Sequence, residues 1–469
     1  MAEPIVIGAG WSGLACAVQL VRQGHRPLVL DAAPHVGGRA RGFDHDLGGT
    51  RLRLDNGQHL LLGAYRDTLD LMREVGVAQG AAMARLPFAV QYPDGWRLAA
   101  ARAPAPWHLG LGLLRAAGLP WPERLALARW AGARRRARWQ IGADMPAAQL
   151  FAGEPPALVQ RLWRPLCLAA LNADLADASA QVLLNVLRDS LGAAARASDL
   201  LLPRTDLSNL FPDAAVSWLR ARGAEVRLHT PVLGLEFGAA AEASNDAAQD
   251  PANDAARAAA NAAMAGARRG APRVRLRDRL LNAPAIVLAV PPERCADLLA
   301  GAPAAGVDAT LRLLRGVQSA PICTVYLRYD PALRLPRVYY TLRDDPRRGH
   351  FGQWVFDRGA LDPPLAGVLS VVISGAGPHQ ELGRSALGER VAAQIGAAFG
   401  LPAPIDRFVL DEKHATVLPR PGLERPGLEL PLPGVFLASD AAHSAYPSTI
   451  EGSVRSGLDA ARAVGRHLH

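Results

Sequence analysis

The opening of this chain restricts its fold more than any other stretch. An apolar run, Pro4-Ile-Val-Ile, breaks at once into Gly8-x-Gly10-x-x-Gly13. Apolar residues then recur at helical spacing through residues 12–23 (Leu14, Ala15, Val18, Leu20, Val21). That period puts one face of a helix against a core. Gly24 stops the helix, and Pro27-Leu-Val-Leu30 reads as a second buried strand closed by Asp31. Strand, glycine turn, helix and strand in so short a span make the unit of a doubly wound parallel sheet.

Each residue of the turn has a physical task. Gly8 permits the tight turn, Gly10 lets a pyrophosphate approach the backbone, and Gly13 lets the helix pack closely on the strand. Free N–H groups and the positive helix end at Trp11 and Ser12 would bind the phosphates. Asp31, with Ala32 beside it, would meet the ribose hydroxyls. Dinucleotide binding is therefore expected. A second glycine pair, Gly37-Gly38-Arg39-Ala-Arg41, follows the second strand. A nicotinamide fold has no need of it, whereas many flavoproteins set such a segment against the phosphates and the flavin side.

With 469 residues, half of them apolar, the chain has material for roughly two to four compact units. The fold class expected is α/β: a Rossmann-like FAD-binding domain in discontinuous segments, with an inserted α+β substrate domain. Residues 1–85, 211–300 and 406–469 are assigned to the first, and 86–210 (helical) and 301–405 to the second. Residues 238–272 are rich in Ala, Asn and Asp and poor in large apolar side chains. Such a composition does not offset the entropy of ordering, so a disordered insertion is expected there. Cys16, Cys167, Cys295 and Cys323 show no metal spacing or C-x-x-C pair, which suggests reduced thiols and a cytoplasmic location. No metal is expected. The start has no secretory pattern, and no run reaches the ~20 apolar residues of a membrane span.

The C-terminal segment narrows the cofactor. Gly434-Val-Phe-Leu-Ala-Ser-Asp440 reads as a strand ending on an acid, and it leads through Tyr446–Gly457 into a last helix. This resembles the closing FAD segment of the flavin amine oxidase and phytoene desaturase superfamily. The resemblance implies that Asp440 holds the ribityl chain and that Thr449, Ile450 and Glu451 form the helix start facing the flavin. Ser439 stands where the family usually has glycine, and Asp31 where glutamate is commoner. No cysteine follows Cys323, so FAD is expected to be non-covalent.

A more particular likeness lies in Leu54-Asp-Asn-Gly-Gln-His-Leu-Leu-Leu-Gly-Ala-Tyr-Arg-Asp-Thr-Leu69, in Glu412-Lys-His-Ala-Thr416 and in Tyr446–Gly457. Together these resemble the squalene-associated FAD enzymes of hopanoid-producing bacteria, the hydroxysqualene dehydroxylases. The resemblance implies reductive removal of the hydroxyl of hydroxysqualene to give squalene. It also implies cofactor contacts from Gly38, Arg39, Asn56, Gly57, Gln58 and Val232. Loss of an allylic hydroxyl needs a hydride and a general acid. Asp55, His59, Lys413, His443 and Glu451 are the candidates by placement, and His59 has the most suitable intrinsic pKa. Lys413 is the sole lysine among 52 cations, and an amine can shift its pKa where guanidinium cannot. No motif identifies the electron donor. Two rival readings stand: an FAD-dependent isoprenoid desaturase, and a membrane-associated lipid-binding protein that keeps the fold as scaffold.

The net charge of +9 suits an anionic partner without choosing one. Residues 107–139 hold four of the nine tryptophans among leucines and arginines. That mixture suits the headgroup boundary of an anionic leaflet, so peripheral contact with an inner membrane is expected, against the alternative of an amphipathic helical pair with a solvated basic face. No nucleic-acid recognition fold accompanies it.

Overall fold

The structure is a computed structural model that describes residues 3–237, 272–302, 306–442 and 444–469. The expected insertion lies outside the described residues, apart from Pro272, which begins a strand.

Five short strands form one parallel sheet in the order Glu225–Arg227, Leu28–Leu30, Ile5–Ile7, Ile286–Leu288 and Val435–Leu437. The four other than Glu225–Arg227 are wholly apolar, as strands covered on both faces must be. The charged Glu225-Val-Arg227 takes an edge, where polar side chains reach water. Alternation decides which side chain faces which layer. Val6, Val29, Val287 and Phe436 join the core beneath helix Trp11–Arg22 and the last helix, Ile450–Leu468. Ile5, Ile7, Ile286 and Leu288 face the other way. There they meet the three-stranded meander Gly234–Phe237, Pro272–Arg275, Leu280–Asn282 and helices Pro292–Leu299 and Val307–Gly316.

A second five-stranded sheet is antiparallel, ordered Tyr339–Thr341, Trp354–Asp357, Val368–Ser374, Ser319–Arg328, Asp406–Val417. Helix Arg384–Phe399 covers it with Leu387, Val391 and Ile395. Its last strand corrects the expected division at residue 406. Asp406–Val417 opens the segment assigned to the FAD-binding domain, yet it is hydrogen-bonded along Ser319–Arg328. Ser319–Arg328 is ten residues long, and its second edge is satisfied only by this pairing. Residues 107–190 are largely helical, and their buried side chains join the same core as the parallel sheet.

The first and last helices pack at backbone distance. A Cβ on Gly457 would lie 2.1 Å from the Ser12 carbonyl oxygen, and one on Gly465 would meet only the end of Gln23. Gly457→Ala is therefore expected to destabilise the fold by about 1–3 kcal/mol through overpacking. Gly132→Ala, in a helix interior with nothing within 4 Å, should be neutral or stabilising by up to about 1 kcal/mol. Equal denaturation midpoints for these two variants would remove the packing account.

Candidate cofactor and substrate cavity

A cavity of about 510 Å³ opens where the parallel strands end. Gly8, Asp31, Val290 and Asp440, each following a strand at its carboxyl end, line it. This is where open α/β sheets receive ligands, because successive loops diverge there. Gly8 sits at φ +112°, and a Cβ on it would lie 2.4 Å from the Ala289 carbonyl oxygen. A Cβ on Gly13 would be 1.9 Å from the oxygen of Gly8, so helix and turn touch through backbone alone. Gly10 pairs with Gly37 in an isolated bridge, and the two glycine motifs form one cradle that side chains would fill. Asp31 fixes the turn: its carboxylate accepts the Ala9 N–H at 2.6 Å and the Ala33 N–H at 2.8 Å.

Asp440 carries the clearest mark of a ligand. Its side chain is 3% exposed; Oδ2 accepts from the Arg39 guanidinium at 2.7 Å, and Oδ1 is buried with no protein partner. A buried carboxylate oxygen requires a donor, and a hydroxyl-bearing chain bound in the cavity would supply one. Ser439, the departure from glycine, is at φ +65°, a region costly for a residue with a Cβ. It is held there by two bonds: its N–H donates to Ser12 Oγ (2.8 Å) and its hydroxyl to the Val290 carbonyl (3.2 Å). Ser12, predicted as a phosphate ligand, thus also anchors the last strand.

Arg39 reaches further. It also donates to the carbonyls of His414 and Ala415, at 3.1 and 3.2 Å. Those carbonyls are displaced from the sheet ladder because residues 413–415 bulge opposite Pro321, between the pairs Ala320–Thr416 and Ile322–Glu412. Proline offers no N–H, and the ladder breaks there. The bulge corrects the placement of Lys413, which is exposed and does not line the cavity. Glu412, Ala415 and Thr416 line it instead.

Two further acid candidates are also turned away. Thr449 and Ile450 line the cavity as expected, and the Thr449 hydroxyl caps the last helix by accepting the Gly452 N–H at 3.1 Å. Glu451, one residue on, points to the opposite side and is fully buried. It accepts the Thr68 N–H (3.0 Å), the Thr68 hydroxyl (2.7 Å) and the Asp67 N–H (3.3 Å), and pairs with Arg455 at 2.9 Å. It is the anion at the start of helix Arg66–Glu74. Burial raises its pKa, against the pull of Thr68 and Arg455. Asp55 is buried against Arg358 at 3.3 Å and accepts the Leu207 N–H at 2.8 Å; it too is absent from the lining. Its carboxyl is pushed up to about 6 by burial, with Arg358 opposing.

His59 does reach the cavity, with Asn56, Gly57 and Gln58. Its Nδ1 lies 2.9 Å from the Gly57 carbonyl, so Nδ1–H donates and Nε2 is the nitrogen left to exchange a proton. Burial lowers its pKa, with the Gly57 bond opposing. Trp11 and Gly38 also line the cavity, whereas Ala32 and Val232 do not. Val232 is packed in the core on the far face of the sheet, and its carbonyl accepts from Arg294 at 2.6 Å. His443 lies outside the described residues.

Beyond this polar end the wall is apolar. Helices Arg164–Leu171 and Ala180–Ser190 contribute Leu168, Leu171 and Leu187, and the antiparallel sheet adds Ile322, Trp354 and Phe356. Asn172, which no motif marked, joins these parts from a left-handed position at φ +52°. It donates to the Pro321 carbonyl and the Thr416 hydroxyl and accepts the Gly375 N–H at 2.7 Å. Asparagine closing a helix was a legible end signal, but its long-range partners were not. The tryptophans of residues 107–139 divide. Trp130 and Trp139 are buried, with Trp130 packed on Phe151 and Trp163, while Trp107 and Trp121 are 66% and 61% exposed.

Comparison with known proteins agrees with this geometry. Residues 11–465 match the family described as flavin containing amine oxidoreductase. Hydroxysqualene dehydroxylase of Sinorhizobium fredii is 29% identical over 97% of this chain and 96% of its own length. That of Rhodopseudomonas palustris is 29% identical over 98% and 97%. An oxidoreductase from Methanosarcina mazei shares the fold, with a TM-score of 0.71 at 16% identity over 97% of this chain and 99% of that one.

Two substitutions separate the roles of the two acids. Asp440→Ala should weaken FAD retention by roughly 10- to 100-fold, the worth of hydrogen bonds to a charged group. Glu451→Ala should lower the melting temperature and leave the flavin stoichiometry of the folded protein unchanged. Flavin absorbance and calorimetry on both proteins check this; the reverse pattern would exchange the assignments.

Proposed function

The chain belongs to the flavin containing amine oxidoreductase family, and within it we propose that this FAD-dependent oxidoreductase removes the hydroxyl of hydroxysqualene to give squalene. The reading rests above all on one observation: a nucleotide cradle continues into a wall of leucines and aromatic rings. The near-full-length likeness to two hydroxysqualene dehydroxylases supports the choice of substrate. The cradle of Gly8, Gly10 and Gly38 with Asp31, Arg39, Asp440 and Thr449 would hold the cofactor. Reduced FAD would supply the hydride. The chain must then provide a proton for the departing oxygen and a surface that tolerates an allylic cation. Trp354, Phe356 and Phe88 present aromatic surface to the cavity, which suits a cation and excludes water. His59 is the titratable group we assign to the proton, delivered from Nε2. The hydride replaces hydroxide on carbon, and the proton completes water.

The pH dependence follows from the sign of the shift. Burial holds the imidazole below its ordinary 6.5, and the acid must be protonated to act. Single-turnover formation of squalene by the reduced protein should therefore fall as pH rises through a value under 6.5. His59→Gln should remove that limb and lower the rate about 100-fold or more, with FAD still bound. Anaerobic mixing with hydroxysqualene, following squalene and flavin reoxidation together, tests this. Reoxidation without squalene would refute the dehydroxylase reading.

We also propose that the surface formed by helices Trp107–Leu114 and Trp121–Arg136 rests on an anionic bilayer. Trp107, Leu114, Trp121 and Leu125 are each more than half exposed. Arg102, Arg115, Arg129, Arg135, Arg136 and Arg138 are exposed around them, and none forms an ion pair among the described residues. Helix Trp107–Leu114 packs on strand Arg97–Ala99, whose partner Ala89–Gln91 contributes Ala89 to the cavity wall. A single β-ribbon thus separates this face from the apolar arm. No described helix is long and apolar enough to cross a membrane. The protein should float with vesicles containing anionic lipid at low salt. Replacing Trp107 and Trp121 by serine should abolish flotation without altering flavin content. Failure of the unaltered protein to float, or preferential capture by nucleic acid, would sink this assignment.

A further inference from the structure

We propose that Arg358 is a positioning residue that sets the orientation of His59 from the opposite sheet; the inference rests on the assignment of His59 made above. Arg358 follows strand Trp354–Asp357 and its side chain is 2% exposed. The partner carboxylate of Asp55 is equally buried, at 3.3 Å. Taking both charges out of water costs several kcal/mol per ion, and only excellent geometry recovers it. This geometry is not excellent. A single contact joins the two, and Arg358 Nε has no partner at all. As a stabilising device the pair is poor, and a leucine and a methionine would fill the space with less strain.

The strongest bond of the guanidinium goes elsewhere. Arg358 Nη1 donates to Gln58 Oε1 at 2.6 Å, a short charge-assisted bond. The Ser370 hydroxyl donates to the same oxygen at 3.0 Å. Two donors on that oxygen decide which way the amide faces. Its nitrogen then donates to the His59 carbonyl at 3.0 Å. Asp55, at the other end of this loop, is held through its carboxylate by Arg358 and through its carbonyl by the Tyr326 hydroxyl at 2.7 Å. Arg358, Ser370 and Tyr326 all belong to the antiparallel sheet or its strand ends. The loop carrying His59 belongs to the other part of the chain. The loop is therefore gripped at both ends from the antiparallel sheet, and the ring is fixed to its main chain by the bond from Nδ1 to Gly57.

The test uses the full-length flavoprotein. Arg358→Lys keeps a charge opposite Asp55 and loses the fork that reaches Gln58. The paired replacement Asp55→Leu with Arg358→Met removes both charges together and serves where the single change does not fold. Either protein should retain FAD stoichiometrically, convert hydroxysqualene roughly 10- to 100-fold more slowly per flavin, and keep KM within about threefold, the pattern of a misplaced group rather than a lost binding contact. The ring resonances of His59, identified in histidine-labelled protein by their absence from His59→Gln, should move or broaden. Unchanged resonances and an unchanged rate per flavin would overturn the inference and leave the pair as a structural contact. A parent protein that yields no squalene removes the dehydroxylase reading alone, because the His59 resonances still report on Arg358.

Discussion

The guanidinium of Arg39 joins three stretches that lie far apart in the chain. It bonds to Asp440 at the end of the last parallel strand and to the carbonyls of residues 414 and 415 in the antiparallel sheet. The bond to the second sheet exists because Pro321 has no N–H and the facing strand bulges out. One residue without a donor thus frees two acceptors, and one arginine with five donors uses them. The cavity lies where these parts meet, so its shape follows from this contact. The free oxygen of Asp440 is a consequence too: with Oδ2 committed to Arg39, Oδ1 is left buried without a protein donor.

Burial sorts the carboxylates near the cavity. Asp440 is paired on one side only and faces the cavity. Glu451 and Asp55 are each surrounded by donors from other elements and spend their lone pairs on structure. A carboxylate whose oxygens already accept from Thr68, Asp67 and Arg455 has little capacity left for a substrate. Two imidazoles line the cavity among the described residues: His35, at the nucleotide cradle near Asp31 and Arg41, and His59, held at its backbone and at one ring nitrogen, which is the one we assign to the proton. In the proposed reaction, the apolar wall of the cavity would keep water from competing for the leaving oxygen.

The parallel sheet, the order of its first strand, helix and second strand, and the glycine cradle were legible because they depend on local rules. Ile-Val-Ile, Leu-Val-Leu and Ile-Val-Leu read as strands covered on both sides, and Gly8, Gly10 and Gly13 stand where a Cβ has no room. Asp440, Thr449 and Ile450, which line the cavity, were expected there from the resemblance of the closing segment to the flavin amine oxidases rather than from local rules. Placement was harder. Lys413 stood out as a solitary lysine, but the bulge that turns it outward requires the pairing with Pro321. Glu451 sits one residue past two lining residues, and a helix turns each successive side chain by 100°. Arg358 carried no local signal and Asn172 signalled only the end of a helix, since the partners of both lie well over a hundred residues away in sequence.

What the sequence alone determined is the nucleotide-binding unit: periodicity and glycine spacing act over a few residues, and their meaning does not depend on what packs against them. Tertiary structure decided which charged groups line the cavity. Strand Asp406–Val417 joined the antiparallel sheet because Ser319–Arg328 had an unpaired edge. Trp130 and Trp139 became core while Trp107 and Trp121 stayed at the surface, because only the former pair meets Phe151 and Trp163 or lies within reach of them. Asp55 and Glu451 became structural because donors from distant segments converge on them. Such convergence is a property of the folded chain, in which long-range contacts satisfy buried polar groups that no neighbour in sequence can reach.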